Sequence, residues 1–224
     1  GRVLEIGCGT GQATLPLARR GFSVLCIELG ASLAAVARRN LAAFPRVEVV
    51  NADFESWPAP EGAFDLVTAA TAIHWIDPSI RYYKIARTLK PGGVVAPFRH
   101  SHVHTDKVRG FFEEVQRIYQ RVGPEIADPD FRGLPKPEDV PTPEVGRIGE
   151  TGLYGPVAVR RYPFEVEYDS ERYINLLSTY SGHRALRPAV RQRLLRAIAE
   201  LIDTNYGGRI VKGYLATLCV ARRL

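Results

Sequence analysis

The chain has 224 residues, 46% of them hydrophobic, a formal net charge of +6 and three cysteines. That length suits a single α/β domain with an elaboration. No apolar run approaches the ~18 residues of a membrane span and no signal-peptide pattern is visible, so the expectation is a cytoplasmic protein with no membrane partner.

Residues 3–6, VLEI, form a short apolar run that ends in glycine, and a helix is expected from about Thr10 to Arg20. FSVLCIE (22–28) reads as a strand buried on both faces, and SLAAVARRNLAAF as the next helix, with Ser32 as its cap. VEVVNAD (47–53) and FDLVTAA (64–70) are further strands, a helix lies between Pro78 and Lys90 and breaks at KPGG, and VVAPF (94–98) is the fifth strand. Strands and helices alternate at βαβ spacing, which predicts a doubly wound, mostly parallel α/β sheet.

After Phe98 the rhythm changes. FFEEVQRIYQRV carries Phe111, Val115, Ile118 and Val122 on one helical face, and residues 123–156 hold seven of the sixteen prolines. So long an irregular stretch reads as a lid or binding loop. VAVRRYPFEVEY returns to a strand or bent pair of strands, and ERYINLLSTYS is a helix with Tyr173, Leu176, Leu177 and Tyr180 on one face. A helix with Val190, Leu194, Ile198 and Leu201 inward follows, then RIVKGYLATLCVARR as the closing strand. Three parts are therefore expected: 1–98 as a doubly wound half of one domain, 99–156 as an insertion, and 157–224 completing the sheet.

Charge and thiols narrow the chemistry. Arginine doublets (Arg19-Arg20, Arg38-Arg39, Arg160-Arg161, Arg222-Arg223) fall mostly at element ends, and the run Arg184, Arg187, Arg191, Arg193 and Arg196 reads as the solvated face of the late helix. Without interleaved aromatics or a recognisable module, no nucleic-acid partner is expected. Cys8, Cys26 and Cys219 occur singly and read as buried free thiols.

Gly7, Gly9 and Gly11 follow the first strand with GxGxG spacing, which differs from the GxGxxG of dinucleotide binders. In an open parallel sheet, strand ends of this kind face the ligand. Glu28 ends the second strand, where a carboxylate can accept from both ribose hydroxyls; Asp53 ends the third, in reach of an adenine amino group, with Phe54 to lie against the base. Together they describe an adenosine site, and the absence of GxxxxGK argues against ATP.

VLEIGCGTG, Glu28, NADFESWP, FDLVTAATAIHWID and LKPGG, in that order, resemble the class I S-adenosylmethionine-dependent methyltransferases. AATAIHWID and TYSGHRAL look most like the small-molecule branch of type 11 and trans-aconitate-methyltransferase-like enzymes. The resemblance implies a Rossmann-like seven-stranded sheet with a final antiparallel strand, and S-adenosyl-L-methionine, with S-adenosyl-L-homocysteine as product, lying across strands one, two and four. Cofactor contacts are then expected from Gly7, Cys8, Gly9, Gly11, Glu28, Leu29, Asp53, Phe54, Thr68 and Ala69, with Glu5 ordering the glycine loop. Because the sequence opens directly on a core strand, residues upstream of Gly1 are expected to complete the pocket wall.

In-line methyl transfer needs a base only when the acceptor must lose a proton early. His74 stands beside the expected methyl position, as general base or as a structural histidine, and Trp75 walls the acceptor pocket. His100, His102 and His104 alternate after the fifth strand; His100, Tyr180 and His183 are candidates for the acceptor pocket, and no metal is expected. As the trans-aconitate-methyltransferase resemblance implies, Arg99, Arg109, Arg132 and Arg147 are candidates to hold a carboxylate of the acceptor. Competing readings are a nicotinamide dehydrogenase, an RNA or protein methyltransferase, and a non-catalytic cofactor-binding protein, acting as monomer or homodimer.

Overall fold

The computed structural model describes residues 1–108 and 110–224. Among them, strands β1 (Arg2–Ile6), β2 (Ser23–Glu28), β3 (Val47–Asn51), β4 (Phe64–Ala70), β5 (Leu89–Val103), β6 (Ala158–Asp169) and β7 (Arg209–Arg222) form one sheet. The order is β3-β2-β1-β4-β5-β7-β6, parallel from β3 through β5. β7 runs antiparallel to both of its neighbours. This is the expected Rossmann-like α/β sheet with an antiparallel closing strand.

The chain separates into two compact units: Gly1–His100 with Pro141–Tyr162 and Ala216–Leu224, and Ser101–Val140 with Pro163–Leu215. In the first, β1 and β2 send alternate side chains to opposite faces, as the pleat demands. Leu4, Ile6, Leu25 and Ile27 join Tyr82 and Ile85 of helix α3 (Arg81–Thr88) and Ile148 of α5 (Glu144–Gly149). Val3, Val24 and Cys26 join Ala37 and Leu41 of α2 (Ala31–Leu41), together with Cys8. Helices therefore cover both faces, and all three cysteines are buried free thiols.

In the second unit α4 (Phe111–Val122), α6 (Ser170–Leu177) and α8 (Pro188–Asn205) share one core, in which Phe111, Leu177, Leu194, Ile198 and Ile202 are closed to solvent. α6 begins where the Asp169 carboxylate accepts the Arg172 N–H at 2.7 Å; α8 begins with proline at its first turn, where a missing N–H costs nothing. The short α7 (Ser181–Ala185) lies between them.

Several boundaries differ from the sequence expectation. α1 runs Thr14–Arg19 and starts after Thr10, because Gly9 and Gly11 hold left-handed backbone (φ +57° and +89°) that no right-handed helix can include. Pro16 then falls in the first turn. α2 is capped by Gly30, and Ser32 sits inside its first turn. β5 starts at Leu89 and runs through KPGG. The stretch after α4 contains α5, which its prolines and glycines conceal. Tyr180 lies past the end of α6, and the inward stripe of α8 ends on Ile202, with Leu201 half-buried.

Chemical denaturation followed by far-UV circular dichroism should show Leu194→Ala destabilised by about 3 kcal/mol, since a fully buried leucine leaves a cavity. Leu201→Ala should cost less than half of that.

Candidate functional site

β1 is hydrogen-bonded between β2 and β4, so the carboxyl ends of these three strands open side by side. Beyond them lies a cavity of about 470 Å³ in the first unit. Its wall is Gly7 after β1, Glu28 to Gly30 and Leu33 after β2, Ala52 to Glu55 after β3, and Ala70 to Ala72 with Trp75 and Ile76 after β4.

Gly7 turns the chain at φ +68° and donates its N–H to Ile27 O at 2.7 Å. A Cβ there would stand 2.5 Å from the Ala72 Cβ, so glycine is what allows the first strand's exit to approach the fourth's. Gly9 faces open space and gives its N–H to Glu28 Oε2 at 2.8 Å, while Gly11 packs under Leu41, where a Cβ would lie 2.8 Å from Cδ1. Glu28 also accepts the Gly30 N–H on Oε1 at 2.8 Å. One carboxylate thus joins the glycine turn to the start of α2, and each of its oxygens keeps a lone pair for a further donor.

Glu5 is fully buried, accepts from Thr14 Oγ1 at 2.7 Å, and is pushed above the ordinary carboxylate range chiefly by desolvation. It ties β1 to α1 behind the glycines. The exposed Asp53 accepts the Glu55 N–H at 3.0 Å and the Ser56 hydroxyl at 3.1 Å, and the first of these bonds does most to hold its pKa below the usual value. Phe54 is buried, with Lys84 Nζ 5.3 Å from its ring centre. Leu29, Leu33 and Trp75 are exposed apolar side chains in the same wall, with Trp75 81% open to solvent. Such a concentration in one cavity wall is the surface a ligand-binding groove presents.

Other expected residues fall elsewhere. Cys8 is buried in the α2-side core. Thr68 turns its hydroxyl to Ala96 O at 2.7 Å, and Ala69 is buried in the sheet, so the cavity meets β4 one to three residues later than the sequence suggests. Thr71 is the residue that sequence reasoning misses. Among the described residues it alone has a positive φ (+54°) without being glycine, and its N–H is anchored on Phe98 O at 2.8 Å. Backbone held there is a feature of functional sites. His100 Nδ1 lies 3.5 Å from the Thr71 hydroxyl.

His74 is exposed, lies outside the cavity wall, and tilts against Trp75 with ring centres 4.9 Å apart. Partial desolvation, then the charges of Arg81 and Arg99, lower its pKa. In the second unit, Tyr180 Oη stands 3.4 Å from His102 Nε2, and the buried His183 pairs with Tyr119 Oη at 3.1 Å. His104 meets Asp106. The three alternating histidines therefore have three different surroundings, and no group of three or more metal-ligating side chains occurs among the described residues. Arg99 donates to Pro141 O, Arg147 pairs with Glu144 at 2.7 Å, Arg132 is exposed, and Arg109 lies outside the described residues.

A family model described as a methyltransferase domain matches residues 3–93. An uncharacterized methyltransferase of Mycobacterium bovis is 32% identical over 127 residues, 57% of this chain and 50% of that protein. The trans-aconitate 2-methyltransferase of Deinococcus radiodurans is 30% identical over 105 residues, 45% of this chain and 40% of that one. The chain thus spans about half the length of the curated relatives it matches, or less. In fold it is similar to the YcgJ protein from Bacillus subtilis, with a TM-score of 0.59 at 19% identity, covering 99% of this chain and 91% of that one. A candidate type II methyltransferase from Anaeromyxobacter dehalogenans gives a TM-score of 0.65 at 23% identity, covering 99% and 89%.

The two glycines of the turn should respond differently to a methyl group. Gly9→Ala carries only the left-handed backbone strain, about 1–2 kcal/mol by denaturation, whereas Gly7→Ala adds the clash with Ala72 and should be clearly less stable.

Proposed function

We propose, on the premise that residues 3–93 are a class I S-adenosylmethionine-dependent methyltransferase domain, that this protein transfers a methyl group to a small-molecule acceptor by in-line displacement. The observation that carries the reading is the single cavity wall shared by Gly7, Glu28 and Asp53 at three adjacent strand ends.

The donor set fits the cofactor. Two carboxylates with spare lone pairs suit the hydroxyls and exocyclic amine of an adenosine, and a backbone turn without a lysine suits a ligand that carries no phosphate. Glu28 would hold the ribose and Asp53 the base. The exposed backbone around Gly7 and Ala70 to Ala72 would hold the amino-acid end, in place of the Thr68 and Ala69 expected from the sequence. When bound, the cofactor supplies a methyl group already activated on a positive sulfur. The chain's task is then alignment and exclusion of water. Leu29, Leu33 and Trp75 give the apolar cover for that exclusion. His74, whose lowered pKa keeps its imidazole neutral near pH 7, is the candidate to accept a proton from the acceptor. His100, 3.5 Å from the Thr71 hydroxyl, is proposed for acceptor recognition.

The trans-aconitate methyltransferase relative supports a small acceptor, and no helix among the described residues is long and apolar enough to cross a membrane. We place the activity in the cytoplasm, in a monomer or homodimer.

Isothermal titration with S-adenosyl-L-homocysteine should give saturable binding and titration with NAD none. Glu28→Ala should weaken the homocysteine ligand at least tenfold while the protein stays folded. Absence of binding by folded wild-type protein would overturn the proposal.

A further inference from the structure

Asp53 to Trp57 form one tight turn after β3, in the first unit. Within it Trp57 gives its N–H to Asp53 O at 2.8 Å, and the Asp53 carboxylate accepts from the Glu55 N–H and the Ser56 hydroxyl. These bonds fix the carboxylate relative to its own turn. What fixes the turn relative to the sheet is a separate matter. Phe54 anchors one side of it in the core, and polar groups tie the rest. Glu55 Oε1 accepts the Asp77 N–H at 2.7 Å. Lys84 Nζ, reaching across from α3, donates to Glu55 O at 2.8 Å and to Trp57 O at 2.6 Å, and the same ammonium lies over the Phe54 ring.

The turn has open space on more than one side. Glu55 belongs to the wall of the cavity at the strand ends and also to that of a second cavity of about 580 Å³, which Trp57, Tyr83, Lys84 and Arg87 line as well. Packing alone therefore leaves the tilt of the turn loosely set, and directional hydrogen bonds must set it. An ammonium that donates to two carbonyls of one turn does this with a single side chain. Lys84 is half-buried; desolvation lowers its pKa, and the charge of Asp53 is the first to oppose that shift.

We propose that Lys84 is a positioning residue for base recognition, holding the Asp53–Trp57 turn by its two carbonyls so that the Asp53 carboxylate meets the exocyclic amine of adenine. Lys84 itself touches no ligand in this arrangement; it acts through Asp53. The inference rests on the methyltransferase reading and on Asp53 as the group that meets the base. Its consequence is selectivity: an acceptor-only carboxylate held at the amine favours adenine over a base with a carbonyl oxygen at the same position, and a turn free to tilt loses that preference before it loses affinity for the rest of the ligand.

The test compares S-adenosyl-L-homocysteine with S-inosyl-L-homocysteine, in which a carbonyl replaces the amine, titrated calorimetrically into wild type, Lys84→Met, Lys84→Gln and Arg87→Met. Methionine nearly conserves the lysine volume, glutamine is the second route should methionine prevent folding, and thermal unfolding checks every variant. Arg87→Met removes a cation from the same helix whose partner is the exposed Glu61, and controls for loss of charge alone. Wild type should prefer the adenosyl ligand by at least about tenfold. In Lys84→Met and Lys84→Gln the adenosyl ligand should weaken by about that factor while the inosyl ligand holds, so that the preference collapses; Arg87→Met should keep it. Equal weakening of both ligands would make Lys84 a merely structural group and overturn the inference, as would an undiminished preference, a wild type without preference, or failure of both Lys84 variants to fold. If folded wild type binds neither ligand, the cofactor reading itself falls and this inference with it; binding with preference in wild type, unchanged in the Lys84 variants, sinks only the role of Lys84.

Discussion

The carboxylate of Glu28 is the point on which the geometry of the first unit turns. It closes β2, and its two oxygens take the N–H groups of Gly9 and Gly30, which belong to turns that follow different strands. Two loops that sequence would let wander are thereby held in one orientation, with the oxygens still presented to the cavity. Glu5 performs the complementary task from behind, where its bond to Thr14 secures β1 to α1. The glycines can be conformationally permissive because the two carboxylates on either side of them are not. The carboxylate that holds the two turns is therefore also part of the cavity wall, the usual situation when a site is preorganised.

Much of this was legible from residue order because each piece has a local cause. Continuous apolar runs such as SVLCIE and FDLVTAA can be little else than strands buried on both faces, and four of the five parallel strands fall within a residue or two of where those runs end. The cavity wall was legible for the same reason at Gly7, Glu28, Asp53 and Trp75, since a strand terminus is a position in sequence as well as in space. Phe111, Val115 and Ile118 of α4 followed from helical period alone.

What escaped notice depends on partners distant in the chain. Thr71 owes its left-handed backbone to an N–H drawn to Phe98 O, and nothing in ATAI announces it. The short α5 is anchored by Glu144, which accepts from the Tyr82 hydroxyl and lies near Arg81, residues some sixty positions earlier. Lys84 sits in a helical run, where any reading would leave a lysine on the solvated face. Its reach to the carbonyls of Glu55 and Trp57 joins α3 to a turn that precedes β4, a convergence that only tertiary structure creates.

The place of β7 has a consequence for how the chain is made. Last in sequence of the seven described strands, it lies in the sheet between β5 and β6, both of which precede it. Until it emerges, β5 presents one unpaired edge and β6 has no neighbour from the described sheet. A ribosome-bound nascent chain would carry an ordered parallel half with an open border, the form of backbone most prone to recruit a foreign strand.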